Sequence, residues 1–338
     1  MILVTGGTGL VGSHLLFELL KKHDRVRAIH RAKSNLQHVR HIFSYYTDVP
    51  DTYYNRIEWV QANILDVPRL TDAFRDINRV YHAAAYISFD PKNYTALRKA
   101  NVEGTANLVN LCIANKIEKL CYVSSVATLG SSLDNKPIDE DTHWNPEANN
   151  SVYAITKYGA EMEIWRATQE GVPSVIVNPS VIFGPGFWNS GSGAIITMAA
   201  RGSRYSTSGS TGILDVRDVV RAMLLLMDSE TTNRRFILNG TNITFTEMMT
   251  MLTKKLDAKA PTKPLPKWIC RLMSYLDWFS SVLFDTKRKL PLATVRSLYS
   301  ESRYDGSALQ DQFADFEYTS FEATVAFVAT HYKAEKGS

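Results

Sequence analysis

Cysteine is scarce: three residues in 338, Cys112, Cys121 and Cys270, lie far apart and form no C-x-x-C pair. An odd, scattered set excludes a disulfide framework and a zinc or redox pair, and reads as reduced core thiols. Charge of one sign is also lacking. Lys and Arg exceed Asp and Glu by only four, and the densest basic run, Lys287-Arg288-Lys289, is too short to suggest a nucleic-acid partner. There is no internal repeat, no low-complexity tract and no spacing of His, Cys and acids that calls for a metal. Met1 leads straight into an apolar strand pattern, without room for a charged and apolar leader, so a cytoplasmic protein is expected.

What is present is an ordinary globular composition, 45% hydrophobic, long enough for a large core. Short β-branched runs recur at 2 to 5, 26 to 29, 57 to 60, 79 to 82, 120 to 125 and 174 to 177. Between them lie helix-length amphipathic stretches, such as 13 to 22 with Leu15, Leu16, Leu19 and Leu20, and 101 to 115 with Val102, Leu108, Val109 and Cys112. Strands alternating with helices give an α/β fold, a Rossmann-type doubly wound parallel sheet with its ligand at the carboxyl ends of the strands. After about residue 180 the texture becomes irregular and rich in Gly, Ser and Pro, as in FGPGFWNSGSGA. The expected division is a nucleotide-binding domain over 1–177, to which 213–240 returns with a helix at 216 to 227 and a strand at 235 to 238. A smaller, C-terminal substrate-binding region takes 178–212 and 241–338.

The opening MILVTGGTGLVG holds two glycine patterns. Gly7, Gly9 and Gly12 form G-x-G-x-x-G; Thr5, Gly6, Gly9 and Gly12 form the narrower T-G-x-x-G-x-x-G. Between a buried strand and an amphipathic helix, either lets backbone approach a pyrophosphate at the helix N-terminus. Cofactor choice depends on the end of the second strand, in HDRVRAIHRAKSN. Asp24 precedes that strand, at the wrong edge for a ribose hydroxyl, whereas Arg31 and Lys33 follow it and suit the extra phosphate of NADP. The competing reading makes them two solvated loop cations.

In SVYAITKYGAEME, Tyr153 and Lys157 are four apart and share a helix face that Ser151 can cap. An ammonium beside a phenol would lower its pKa and make Tyr153 a usable general acid or base. Upstream, LCYVSS ends a core strand with Ser124 and Ser125 on the side of the glycine loop. These residues, with H-A-A-A at 82 to 85, N-V-E-G-T at 101 to 105 and N-P-S-V-I-F-G-P-G at 178 to 186, resemble the extended short-chain dehydrogenase/reductases of the NAD-dependent epimerase/dehydratase superfamily. GSTGILDVRDVVRAM and RFILNGTNITFTEMM resemble its dihydroflavonol 4-reductase-like and 3β-hydroxysteroid dehydrogenase-like members.

The resemblance implies hydride transfer between a nicotinamide and a carbonyl or secondary alcohol. Tyr153 would pass the proton, Lys157 would lower its pKa and hold the ribose, and Ser125, rather than Ser124, would bond the reacting oxygen. It implies cofactor contacts from Thr5, Gly6, Thr8, Gly9, Leu10, Val11, Gly12, Arg31, Lys33, Asn63, Ile64, Ala83, Ala84, Ala85, Tyr153, Lys157 and Pro179. Asn101 is either a helix cap or an organiser of the active-site helix, and His82 is not expected to act as a base. Two departures stand out: Asn63-Ile64 where the family commonly has an Asp-hydrophobic pair near adenine, and Asn178 where many sugar-nucleotide enzymes carry Arg. A homodimer through helices at 93 to 115 and 151 to 170 is also implied.

These residues lead to an NADP(H)-dependent oxidoreductase for a moderately apolar cyclic or aromatic substrate, with NAD(H) as the other cofactor choice. The alternatives are an NAD-dependent nucleotide-sugar epimerase or dehydratase, and a non-catalytic NADP-sensing regulator. LPKWICRLMSYLDWFSSVLF at 265 to 284 is the most apolar stretch outside the core strands, but Arg271 and Asp277 interrupt it and it is short for a membrane span. It reads as a packed helix, a lid over an apolar substrate, or a contact with a membrane surface.

Overall fold

The computed structural model describes residues 1–131, 136–284, 286 and 288–336. Of the basic run, Lys287 lies outside the described residues, as do 285 and 337–338 of the expected substrate-binding region.

Seven parallel strands form the central sheet: β1 (Ile2–Thr5), β2 (Val26–His30), β3 (Ile57–Gln61), β4 (Arg79–His82), β5 (Lys119–Val123), β6 (Ser174–Pro179) and β7 (Arg234–Leu238). Their spatial order is β7-β6-β5-β4-β1-β2-β3. The chain starts at β1, steps outward to β3, then crosses back to place β4 on the other side of β1. That reversal opens a crevice between β1 and β4 at the carboxyl edge. Strand residues alternate between two apolar layers, which is why their sequences are continuously hydrophobic. Val4, Ala28, Cys121, Val175 and Val177 meet Leu15, Leu19, Val219 and Met223 on one face. Leu3, Ile29, Val80, Tyr122 and Ile176 meet Leu108, Val109, Cys112 and Ile164 on the other. Cys112 on helix Gly104–Ala114, Cys121 on β5 and Cys270 are buried and unpaired by disulfides.

Observed boundaries differ from the expected ones where tertiary pairing extends an element. β6 continues through Pro179, which sits opposite Leu238 of β7, so Asn178 and Pro179 belong to the central sheet. β5 stops at Val123, leaving both serines beyond its end. The helix expected at 101 to 115 is the end of a longer helical run from Tyr94 to Ala114, with a π-helical turn at Lys99–Glu103. Leu309 and Phe316 pack into the core of the central sheet although they lie far along the expected substrate-binding stretch.

A second, three-stranded sheet joins Val181–Phe183 and Thr241–Thr244 to either side of Ser210–Asp215. Phe183 and Ile213 from it gather with Trp188, Ile196, Met248, Leu252, Phe321 and Val328 in an apolar cluster of their own. Residues 267 to 283 form a helix, Lys267–Leu283, whose buried members are Cys270, Ser274 and Ser281. This differs from a packed apolar helix: the tryptophans and most of the large aliphatic side chains face outward.

Candidate active site

The loops that carry the candidate residues open at the carboxyl edge of the central sheet. Immediately after β1, Gly6 turns the chain with φ +72°, and a Cβ there would stand 2.6 Å from the Ala83 carbonyl carbon. At Gly12 it would stand 2.1 Å from the Gly6 carbonyl oxygen. The turn itself therefore demands glycine at both positions. A Cβ on Gly7 meets chiefly the end of the Leu16 side chain, at 2.9 Å, so that glycine is dispensable to the turn. Gly9 caps helix Leu10–Lys22 without any side-chain cap, and no acidic residue occupies the helix's first turn. Thr8 to Val11 are half-buried, with the helix's first N–H groups free to bind an anion, so this cradle fits a dinucleotide pyrophosphate.

Beyond β2, Arg31 and Lys33 are exposed and form no salt bridge among the described residues, and the turn that holds them is closed by Ser34. Asp24 lies at the opposite edge, before Val26. Asn63 is exposed, with its side-chain oxygen accepting from Leu65 N–H, while Ile64 is buried beneath Gly104. After β4, Ala83 N–H donates to the Thr5 carbonyl and Ala84 N–H to the Thr5 hydroxyl. His82 is fully buried between the hydroxyls of Thr5 and Thr105, at 2.6 and 2.9 Å, and lies over the Tyr122 ring. Burial, with the Lys157 charge nearby, pushes its pKa down to about 3. A buried imidazole held by two threonines braces β1 against helix Gly104–Ala114.

Helix Val152–Gln169 begins on a Ser151 cap, whose hydroxyl accepts from Ala154 N–H at 3.1 Å. Tyr153 is half-buried and edge-on to Phe89, with the Ser125 side chain near its phenol. Ser125 lies just past β5 and also caps the short helix Val126–Thr128. Burial pushes the Tyr153 phenol up to about 12, and the Ser125 side chain pulls it partly back. The sequence spacing led to the expectation of a phenol lowered by Lys157. The Lys157 ammonium is instead held by the Tyr122 hydroxyl at 2.5 Å and the Val123 carbonyl at 2.8 Å. Burial pushes Lys157 down to about 7, opposed by the charge of Glu161. The reason is local: the four-residue spacing sets a common face, but the lysine rotamer follows the nearest acceptors on β5.

Ser124 faces the other way from Ser125 and is buried, donating to Glu161 at 2.5 Å. Glu161, one helical turn beyond Lys157, also accepts from Thr128 at 2.7 Å and Asn178 at 2.9 Å, and lies 3.3 Å from the Arg235 guanidinium. Asn178 donates in addition to the Ser125 carbonyl at 3.2 Å, so the glutamate indirectly fixes the serine that meets Tyr153. Asn101 is no helix cap. Inside the π-helical turn it accepts from Tyr86 N–H, donates to the Tyr86 carbonyl and reaches Thr156, tying the loop after β4 to the tyrosine helix. Pro179 closes β6 beside these groups.

Two members of this network, Tyr122 and Glu161, were missed by sequence reasoning. Glu161 had a readable signal, since Tyr153, Lys157 and Glu161 recur every four residues. Tyr122 had none beyond its place in a buried strand.

A profile of the NAD dependent epimerase/dehydratase family matches residues 2–238, which contain every strand of the central sheet. The chain belongs to that family. Among its relatives, a putative dihydroflavonol 4-reductase of Synechocystis sp. is 31% identical, covering 90% of this chain and 86% of that one. Sterol demethylase protein B of Methylococcus capsulatus is 27% identical, covering 89% and 87%. The crystal structure of gox2253 superimposes with a TM-score of 0.82 at 24% identity, over 99% of this chain and 98% of its own, a likeness of fold. This epimerase/dehydratase family member is an NAD(P)-dependent enzyme with a reductase-like sequence, and no described helix is long and apolar enough to cross a membrane.

Proposed function

We propose that this enzyme is an NADP(H)-dependent carbonyl reductase, or the reverse alcohol dehydrogenase, for a moderately apolar cyclic or aromatic small molecule. The observation that carries it is the placement of Ser125, just past β5, near Tyr153 on the capped helix Val152–Gln169, at the same carboxyl edge as the pyrophosphate cradle. A bound reduced nicotinamide would supply the hydride. The chain's own residues do the rest. Ser125 orients the substrate oxygen, and Tyr153 donates the proton that the developing alkoxide needs, or accepts it in the reverse direction. Lys157, together with Tyr153, would hold the nicotinamide ribose, with Tyr122 and Val123 positioning the ammonium until it does so. Arg31 and Lys33 would hold the 2′-phosphate of NADP.

The substrate class is supported by the names of relatives, a putative dihydroflavonol 4-reductase and a sterol demethylase protein, and by Phe89, an exposed ring edge-on to Tyr153, with exposed Tyr86 and Ile87 on the same loop. The substrate-binding region is assigned to 178–212 and 241–338, the active state to a homodimer packed through the helices at 93 to 115 and 151 to 170, and the location to the cytoplasm. Exposed Tyr94, Ile155 and Met162 support that dimer surface.

The test is NADPH oxidation with a panel of cyclic and aromatic ketones. Turnover with NADPH, lost in Tyr153→Phe while NADPH still binds, supports the reading. Full activity of that variant refutes it. Release of tightly bound NAD on denaturation, without consumption of NADPH, would favour a nucleotide-sugar epimerase or dehydratase, against which Asn178 in place of Arg already weighs.

A further inference from the structure

Helix Lys267–Leu283 has its amphipathicity reversed. At about 100° per residue, Cys270, Ser274, Asp277 and Ser281 share one side, and it is this small, polar side that faces the protein. Trp268, Leu272, Tyr275, Leu276, Phe279, Val282 and Leu283 share the other, at 52–67% exposure. A surface helix ordinarily does the opposite. Ten of the 23 exposed large hydrophobic residues of the described chain fall between 268 and 284, so the patch is a cluster and not a scatter.

The orientation is held from beneath. The Asp277 carboxylate accepts from the backbone N–H groups of Lys289 and Leu290, at 3.0 and 3.1 Å, and Arg288 lies 3.6 Å from it while also reaching the Ser274 carbonyl. The polar face is thereby committed inward and the apolar face has no alternative but to point out.

Charge identifies what covers it. Residues 263–296 contain seven Lys or Arg and two Asp, an excess larger than that of the whole chain. Lys263, Lys267, Arg271, Lys289 and Arg296 are exposed around the patch, while Asp277 is occupied. A second copy seated there would bring the same cations against these. An anionic surface would not. Tryptophan and tyrosine, each with an apolar body and a polar tip, suit the boundary between headgroups and acyl chains.

We propose that helix Lys267–Leu283 and its basic flanks dock this enzyme on the surface of an anionic lipid bilayer, with the helix lying in the interface plane. At 17 residues, interrupted by charge, the helix does not span the membrane. The inference does not depend on which substrate the enzyme reduces.

Flotation of the full-length protein with vesicles tests it. The wild type should float with phosphatidylcholine vesicles containing phosphatidylserine, more weakly with phosphatidylcholine alone, and less at high salt. Leu276→Asp combined with Phe279→Asp should lose at least tenfold in vesicle affinity while keeping the wild-type melting temperature. Lys267→Gln with Arg271→Gln leaves the apolar stripe whole and should cost roughly thirtyfold on anionic vesicles only. Failure of the wild type to float, or equal flotation of all three proteins, overturns the proposal. So does a wild-type oligomer that the aspartate pair dissociates in the absence of any lipid binding, which would make a second copy the occupant. Unchanged flotation with a raised KM for apolar ketones in the aspartate pair would assign the helix to a substrate lid instead.

Discussion

Two regions of this molecule break the rule that apolar side chains go in and polar ones out, and they break it in opposite directions. Beneath the carboxyl edge of the sheet, His82, Asn101, Lys157, Glu161 and Asn178 are buried, each with hydrogen-bond partners. On helix Lys267–Leu283 the large apolar groups stand in water and the serines lie inside. Burying polar groups is tolerable only when they are bonded, so the first region holds fixed geometry at a cost in desolvation. The second contributes only Cys270 and two serines to the buried interior and has its outer face free for a partner. Departures of this kind mark function, because packing alone would have selected against both.

The comparison can be sharpened by substitution, and the largest effect belongs to the buried side. Tyr153→Phe removes the proton donor, and turnover should fall by roughly 10²–10⁴-fold with the NADPH dissociation constant nearly unchanged, as measured by steady-state kinetics and fluorescence titration. Glu161→Gln leaves Ser124, Thr128, Asn178 and Arg235 facing a neutral amide, and should cost about 1–3 kcal/mol of stability in denaturant unfolding. Because Glu161 holds the Lys157 pKa up, its loss should also move any lysine-dependent limb of the pH profile to lower pH, an effect a purely structural role would not produce.

Arg31→Ala with Lys33→Ala removes two charge-assisted contacts proposed for the 2′-phosphate. The preference for NADPH over NADH should drop by about tenfold to a hundredfold, read from the two kcat/KM values. Stability against acid offers a further check. The pKa of His82 is pushed down to about 3 and that of His14 to about 4, so the unfolded chain binds more protons than the native one from there up to about 6.5. Stability should hold above that range and fall as the pH drops through it, at up to about 1.4 kcal/mol per pH unit for each group. His82→Gln, which can still bond Thr5 and Thr105, should flatten the slope by one proton in melts taken across pH. The smallest effect belongs to the exposed side: Leu276→Gln or Phe279→Gln should change stability by no more than about 0.5 kcal/mol. A loss of several kcal/mol there would show that the helix is part of the core, and would erase the contrast.

Legibility in the sequence followed distance along the chain. The glycine turn, the strand-ending serines and the Tyr153–Lys157 stripe were readable because each is a local geometry, set by φ at Gly6, by strand alternation or by helical pitch. Even Glu161 could have been found by extending that stripe one more turn. Asn101 could not be resolved locally, since a helix cap and a loop tether have the same sequence neighbours and differ only in whether Tyr86 is within reach.

By itself the sequence determined the alternation of strands and helices, the cradle at the first helix and the set of groups available for proton transfer, all consequences of short-range sterics and periodicity. Only the tertiary structure decided that Lys157 rests on Tyr122 and Val123, that burial and not a neighbouring cation sets the Tyr153 phenol, and which side of helix Lys267–Leu283 turns inward. Those outcomes depend on desolvation and on partners many residues away. The helix shows why: its periodic pattern defines an apolar face, but the bonds that Asp277 accepts from Lys289 and Leu290, in the segment that folds back after the helix, are what aim that face at the solvent.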